Sequence, residues 1–137
     1  MPRINNNEIS EHDQLVLMMA RYFSRLGYTD IRADIPDWNK TRPIWWDNNP
    51  ENKYYPDLTC VDTKGIQIIL EAETCSTFND QHTKEQFAIF RAHANNVKGR
   101  FEVVVPQRCQ NNDARDLITK QAKLWGITLD TVWTPGN

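Results

Sequence analysis

The apolar positions of the chain alternate between helical and extended spacing. From Glu11 to Leu26, the residues Leu15, Met18, Met19, Tyr22, Phe23 and Leu26 recur at three- and four-residue steps, which predicts an amphipathic helix. Ser10 serves as its N-cap, Asp13 as the acidic partner in the first turn and Gly27 as its end. Thr29 to Ala33 reads as a short strand. Leu58 to Val61 and Ile66 to Leu70 are β-rich runs joined by the turn residues Asp62-Thr63-Lys64-Gly65, and so predict a hairpin. A second helix spans Asp80 to Val97 with Phe87, Phe90, Ala94 and Val97 inward. Phe101 to Val105 is a strand closed by Pro106, and Asn112 to Trp125 is a third helix with Ala114, Leu117, Ile118 and Ala122 inward and Gly126 at its end. Ile127 to Val132 is the last strand.

Between the first strand and the hairpin the pattern lapses. Pro36 to Tyr55 is long for a connection without elements of its own, which points to a functional loop or an irregular hairpin; Arg42 to Trp46 is the segment that could form an edge strand. It interleaves Trp38, Trp45, Trp46, Tyr54 and Tyr55 with Lys40, Arg42 and Lys53. Aromatics among cations suit stacking on bases and neutralising phosphates. Packing beneath the loop is the competing role, and it is the one expected of Trp45 and Trp46, whereas Lys40, Arg42 and Lys53 are the candidate ligand contacts.

The candidate chemistry lies on the hairpin. Asp57 opens its first strand, and Glu71 and Glu73 close the second. Residues two apart in a strand share a face, so Glu71 and Glu73 are neighbours with Ala72 on the other side. Like charges so close repel, unless water or a cation intervenes. A solvated strand end is the plain reading. Ile66 to Leu70 is apolar at nearly every position, however, as in a strand covered on both faces, and clustered carboxylates at its end suit a hard cation such as Mg²⁺ or Mn²⁺.

Pro56-Asp57 followed by Glu71-Ala72-Glu73 resembles the signature of the PD-(D/E)xK nuclease superfamily, with Glu73 where lysine is usual. A minority of that superfamily carries this Glu-x-Glu form. The resemblance implies a restriction-endonuclease-like αβββαβ core, a mixed central sheet flanked by helices, with an extra C-terminal helix and strand. It implies Asp57 and Glu71 as metal ligands, Glu73 as the group that orients or deprotonates water, and Lys84 as a replacement for the missing cation. Glu11, although suited to the helix dipole, is the first-helix acid that such nucleases bring towards the metal. Gln86-Phe87-Ala88-Ile89-Phe90 is similar to the Gln-x-x-x-Tyr element of an exonuclease-like branch, although Phe90 reads first as core. Lys84, Arg91 and Lys98 lie seven apart on the second helix, a row that is either a solvated flank or a track for a phosphate backbone. Lys40, Arg42, Lys53, Gln86 and Arg91 are accordingly the candidate nucleic-acid contacts.

Composition bounds these readings. A chain of 137 residues makes a single domain, residues 1–137, and a net charge of −2 leaves any nucleic-acid contact to a local patch. Cys60, Cys75 and Cys109 are odd in number and lack Cys-x-x-Cys spacing, so reduced thiols are expected; His12, His82 and His93 lack zinc-motif spacing. No apolar run approaches a membrane span and no signal-peptide core opens the chain, which reads as cytoplasmic. Neither a Gly-x-Ser-x-Gly elbow nor a phosphate-cradling Gly-rich loop is present, and two carboxylates on one strand cannot flank a glycosidic bond. The function that the resemblance implies is metal-dependent hydrolysis of phosphodiester bonds in DNA, by a homodimer if one domain offers too little surface. The alternative is a catalytically inactive nuclease-fold module that binds nucleic acid, or a protein partner through the Trp-rich loop.

Overall fold

The structure, a computed structural model, describes residues 9–136. Helix α1 (Glu11–Arg25) starts where the Ser10 hydroxyl accepts the Asp13 N–H, and Gly27 leaves it with φ +83°. Strand β1 (Thr29–Ala33) follows, then a separate two-stranded sheet of β2 (Ile44–Trp46) and β3 (Asn49–Tyr54). The irregular hairpin expected between Pro36 and Tyr55 is thus present. The expected hairpin at the centre is β4 (Leu58–Val61) and β5 (Gln67–Ala72); the Asp62 carboxylate accepts the N–H groups of Lys64 and Ile66 in the turn, and Gly65 takes the left-handed conformation that the turn requires. A 3₁₀ turn (Cys75–Thr77) leads into helix α2 (Gln81–Asn96), capped by Asp80.

Strand β6 (Arg100–Val104) is followed by a small hairpin of β7 (Arg108–Cys109) and β8 (Asn112–Asp113), which was not expected. Asp113 is both the end of that hairpin and the N-cap of α3 (Ala114–Leu124), so this helix begins two residues later than the pattern suggested. The last strand, β9 (Thr131–Trp133), also begins late. Ile127 and Leu129 instead pack on the core, and the Asp130 carboxylate accepts the Phe101 N–H, which fixes where pairing with β6 can start.

The main sheet runs β1-β4-β5-β6-β9: β4 is antiparallel to β1 and β5, and β6 is parallel to β5 and β9. The fold is therefore mixed α/β, with three helices among the described residues. Strand alternation divides the core. Leu58, Cys60, Ile68, Leu70, Ala72 and Val104 pack with Leu15, Val16, Met19 and Phe23 of α1, while Ile69, Phe101 and Val103 pack with Phe87, Phe90 and Ala94 of α2 and Ile118 of α3. Strand β5 is buried on both faces from Ile68 onward, as its nearly continuous apolar run predicts. Glu102, on the α1 face, is also buried, and its oxygens accept from Arg100 Nε and Trp133 Nε1 at 2.8 and 2.7 Å.

The cysteines differ from expectation. Cys75 and Cys109 form a disulfide across 34 residues, with Cα atoms 5.7 Å apart, and Cys60 is a buried free thiol in the core. No motif marks the pair, because the bond joins a turn to a hairpin tip that only the fold brings together. Among the described residues no helix is long and apolar enough to cross a membrane.

The Phe87 ring packs edge-on against both Phe101 and Trp125, at 5.2 and 5.8 Å between centroids. Phe87→Ala is expected to lower the unfolding free energy by about 3–5 kcal/mol in urea titrations. Leu124→Ala, at an exposed position, should change it by about 0.5 kcal/mol or less.

Candidate active site

Three acids meet where β4 begins and β5 ends. Asp57 stands in register with Glu71, one step beyond the Leu58–Leu70 pair, and its backbone is tied on several sides. Its carbonyl accepts the Asp34 N–H at 2.9 Å, its N–H donates to Glu71 Oε2 at 2.8 Å, and the preceding Pro56 carbonyl accepts the buried Thr41 hydroxyl at 2.7 Å. Asp57 Oδ2 accepts the Ala72 N–H at 2.9 Å, which binds the two strands together beyond their last ladder pair.

Alternation sends Glu71 and Glu73 to the α2 face, as expected, and both are buried, at 1% and 5% exposure. Glu73 is held by two hydroxyls: Thr77 Oγ1 donates to its Oε1 at 2.6 Å and Thr83 Oγ1 to the same oxygen at 3.3 Å. Thr77 comes from the 3₁₀ turn and Thr83 from the first turn of α2.

The first-helix contact is made by His12, whereas Glu11 is exposed. His12 Nε2 lies 3.1 Å from Asp57 Oδ2 and Nδ1 lies 3.0 Å from Asp13 Oδ1. A ring with an acceptor at each nitrogen is satisfied only when both are protonated, so the geometry selects the imidazolium. The Asp57 hydrogen bond is the main cause that raises the His12 pKa to about 9.

Burial dominates the other shifts. It pushes Glu71 well above the ordinary carboxylate range, with the Asp57 and Glu73 charges acting in the same sense. Glu73 is raised to about 7, burial outweighing the opposing hydrogen bond from Thr77. Asp57 Oδ1, Glu71 Oε1 and Glu73 Oε2 accept no hydrogen bond from the described residues. Among those residues, the one fully buried side-chain polar atom without a partner is Arg91 Nε. Carboxylate oxygens fit a hard cation. No three His, Cys, Asp or Glu side chains among the described residues are already arranged to hold one.

The remaining candidates are dispersed. Lys84 is exposed on α2, one position past Thr83, and makes no side-chain hydrogen bond or ion pair with the described residues; Gln86 is half-buried. Arg91, expected as a nucleic-acid contact, is tied within the fold: its Nη1 donates to the Thr128 carbonyl at 2.8 Å and to Asp130 Oδ2 at 3.0 Å. The cationic row of α2 does not extend to Lys98, which follows the helix end with φ +56°. Lys40 donates to the Ile35 carbonyl, and Lys53 to the Pro50 carbonyl while lying 4.2 Å over the Trp45 ring. Arg42 is 70% exposed but lines a cleft of ≈ 260 Å³ with Val61, Gln67 and His93, at the end of the β4–β5 hairpin opposite the acids. Trp45 and Trp46 do not pack beneath their loop; they are 44% and 39% exposed. Phe90 is core, as expected.

His12, Thr77 and Thr83 were not singled out from sequence. A search for acids passes over all three. Comparison with known protein families, with curated proteins and with solved structures gives no match.

A carboxyl group whose pKa is raised on folding contributes stability that is fully present below its unfolded value and is lost as pH rises through the folded one. For Glu73 this window runs from 4.5 to about 7. In metal-free buffer, Glu73→Gln is therefore expected to be more stable than the parent at pH 8, by on the order of 1–3 kcal/mol, with the two converging near pH 5. Urea titrations at the two pH values check this.

Proposed function

We propose that this chain is a metal-dependent nuclease of the restriction-endonuclease-like class, hydrolysing phosphodiester bonds in DNA. The observation that carries the reading is the meeting of Asp57, Glu71 and Glu73 at one end of the β4–β5 pair, each with a carboxylate oxygen that accepts no hydrogen bond from the described residues. The order of elements in the main sheet and its helices, α-β-β-β-α-β with a further helix and strand, supports it.

In this reading Asp57, Glu71 and the Ala72 carbonyl hold the ion, Mg²⁺ or Mn²⁺. When bound, it supplies polarisation of the phosphate and stabilisation of the negative charge that develops on it. Glu73, with a pKa near 7, takes the proton of the attacking water, and the Thr77 and Thr83 hydroxyls keep its other oxygen in place. His12 provides the positive charge beside the acids that Lys84 was expected to provide, and fixes Asp57 in orientation. Exposed Trp45, Trp46 and Tyr55 offer stacking surfaces to a nucleic acid; they would equally serve a protein partner.

A second reading, a binding module without cleavage, is favoured by the occupied oxygens and by the lack, among the described residues, of three ligands already in place. Cleavage of plasmid, branched and single-stranded DNA with Mg²⁺ or Mn²⁺ separates the two. The nuclease reading predicts metal-dependent cutting that falls at least about a hundredfold in Asp57→Ala. No cutting of any substrate by folded protein would leave the binding module as the account.

A further inference from the structure

We infer that the Cys75–Cys109 disulfide is a redox latch on the acid cluster, holding the Thr77 hydroxyl on Glu73 when closed and releasing it when a dithiol opens the bond. The effect on activity rests on the proposed function; the latch itself does not.

The 3₁₀ turn Cys75–Thr77 lies between the Glu73 N–H to Val104 carbonyl bond before it and Phe78 in the core after it, and within that span its own contacts are local. None of its residues is buried and its cap residue Thr74 makes no side-chain cap bond. The backbone bonds at its two ends, Thr77 N–H to the Thr74 carbonyl and Asp80 N–H to the Thr77 carbonyl, are local and shape the turn without fixing its position. Position comes from Phe78 in the core behind it and from the bond to Cys109. Cys109 sits on the β7–β8 hairpin, which the Ala114 N–H to Gln107 carbonyl bond and the Asp113 cap fasten to α3. The disulfide therefore ties a short, unburied segment to a hairpin fastened to a helix anchored in the core. Two residues along from Cys75 is the hydroxyl that donates to Glu73 at 2.6 Å; opening the bond leaves that carboxylate with Thr83, at 3.3 Å.

The chemistry is confined to this pair. Cys75 is exposed, whereas Cys60 is buried and its thiol is pushed up to about 12 by burial, so it does not compete in exchange. One thiolate of the dithiol attacks a sulfur of the bond and forms a mixed disulfide as the partner sulfur leaves. Its second thiol then closes an intramolecular disulfide and expels the remaining protein thiolate. Two electrons pass to the protein, the reductant leaves as a disulfide, and its two protons end on Cys75 and Cys109.

Hydrogen exchange read by mass spectrometry on the full chain, oxidised and after dithiothreitol, tests the latch. Expected is exchange at least about tenfold faster across residues 74–80 in the reduced protein, with β5 and β6 unchanged. Cys75→Ser/Cys109→Ser should match the reduced form and ignore the reductant. Unchanged exchange at 74–80, or an equal loss of protection throughout the sheet, would overturn the latch, the latter making the bond a staple for the whole fold. DNA cutting is followed in parallel. A roughly tenfold lower rate in the reduced form, with Thr77→Val slow in both forms, supports control of the site. Faster exchange with identical cutting overturns that control; faster exchange with no cutting in either form supports the latch and counts against the nuclease reading.

Discussion

Taking carboxylates out of water beside one another is the constraint on which this structure turns. Each buried charge costs several kcal/mol after relaxation, and like charges at short range add to that. The chain offsets the cost piecemeal: the His12 imidazolium and the Ala72 N–H serve Asp57, the Asp57 N–H serves Glu71, and the two threonine hydroxyls serve Glu73. The offset is incomplete. Glu71 and Glu73 remain raised above the ordinary carboxylate range, and perturbed acids of this kind cluster where a site binds a cation or moves a proton.

The rest of the fold presents that cluster from two sides. Because β5 is covered by α1 on one face and by α2 on the other, its end lies between the starts of both helices. Helix α1 brings His12 to Asp57, and α2 brings Thr83 to Glu73. The cluster thus depends on packing in both halves of the core. One of its donors, Thr77, comes from a turn outside the core that the disulfide joins to Cys109.

Much of this was legible in the sequence, because period decides elements and elements decide faces. The nearly continuous apolar run before Glu71 announced a doubly covered strand, and the spacing of Glu71 and Glu73 put both acids on one face. What was not legible depended on distant parts of the chain. His12 is one position from the acid that analogy singled out, and only the angle of α1 over the sheet decides which of the two reaches Asp57. Alternation along β4 places Cys60 in the core with Leu58, which would have left Cys75 and Cys109 as the pair; parity of the cysteine count hid this. Arg91 read as a surface cation because its partners, Thr128 and Asp130, lie far along the chain. Trp45 and Trp46 are large enough to form a core, yet they sit on a two-stranded sheet separate from the main one and stay 44% and 39% exposed.

The most direct test of the account is calorimetric titration of the oxidised, metal-free chain with Mn²⁺, alongside Asp57→Ala and Glu71→Gln. The account predicts one ion bound per chain, with binding lost or greatly weakened in both variants. No binding to the folded parent, or binding that neither substitution alters, would contradict the claim that these acids form a cation site.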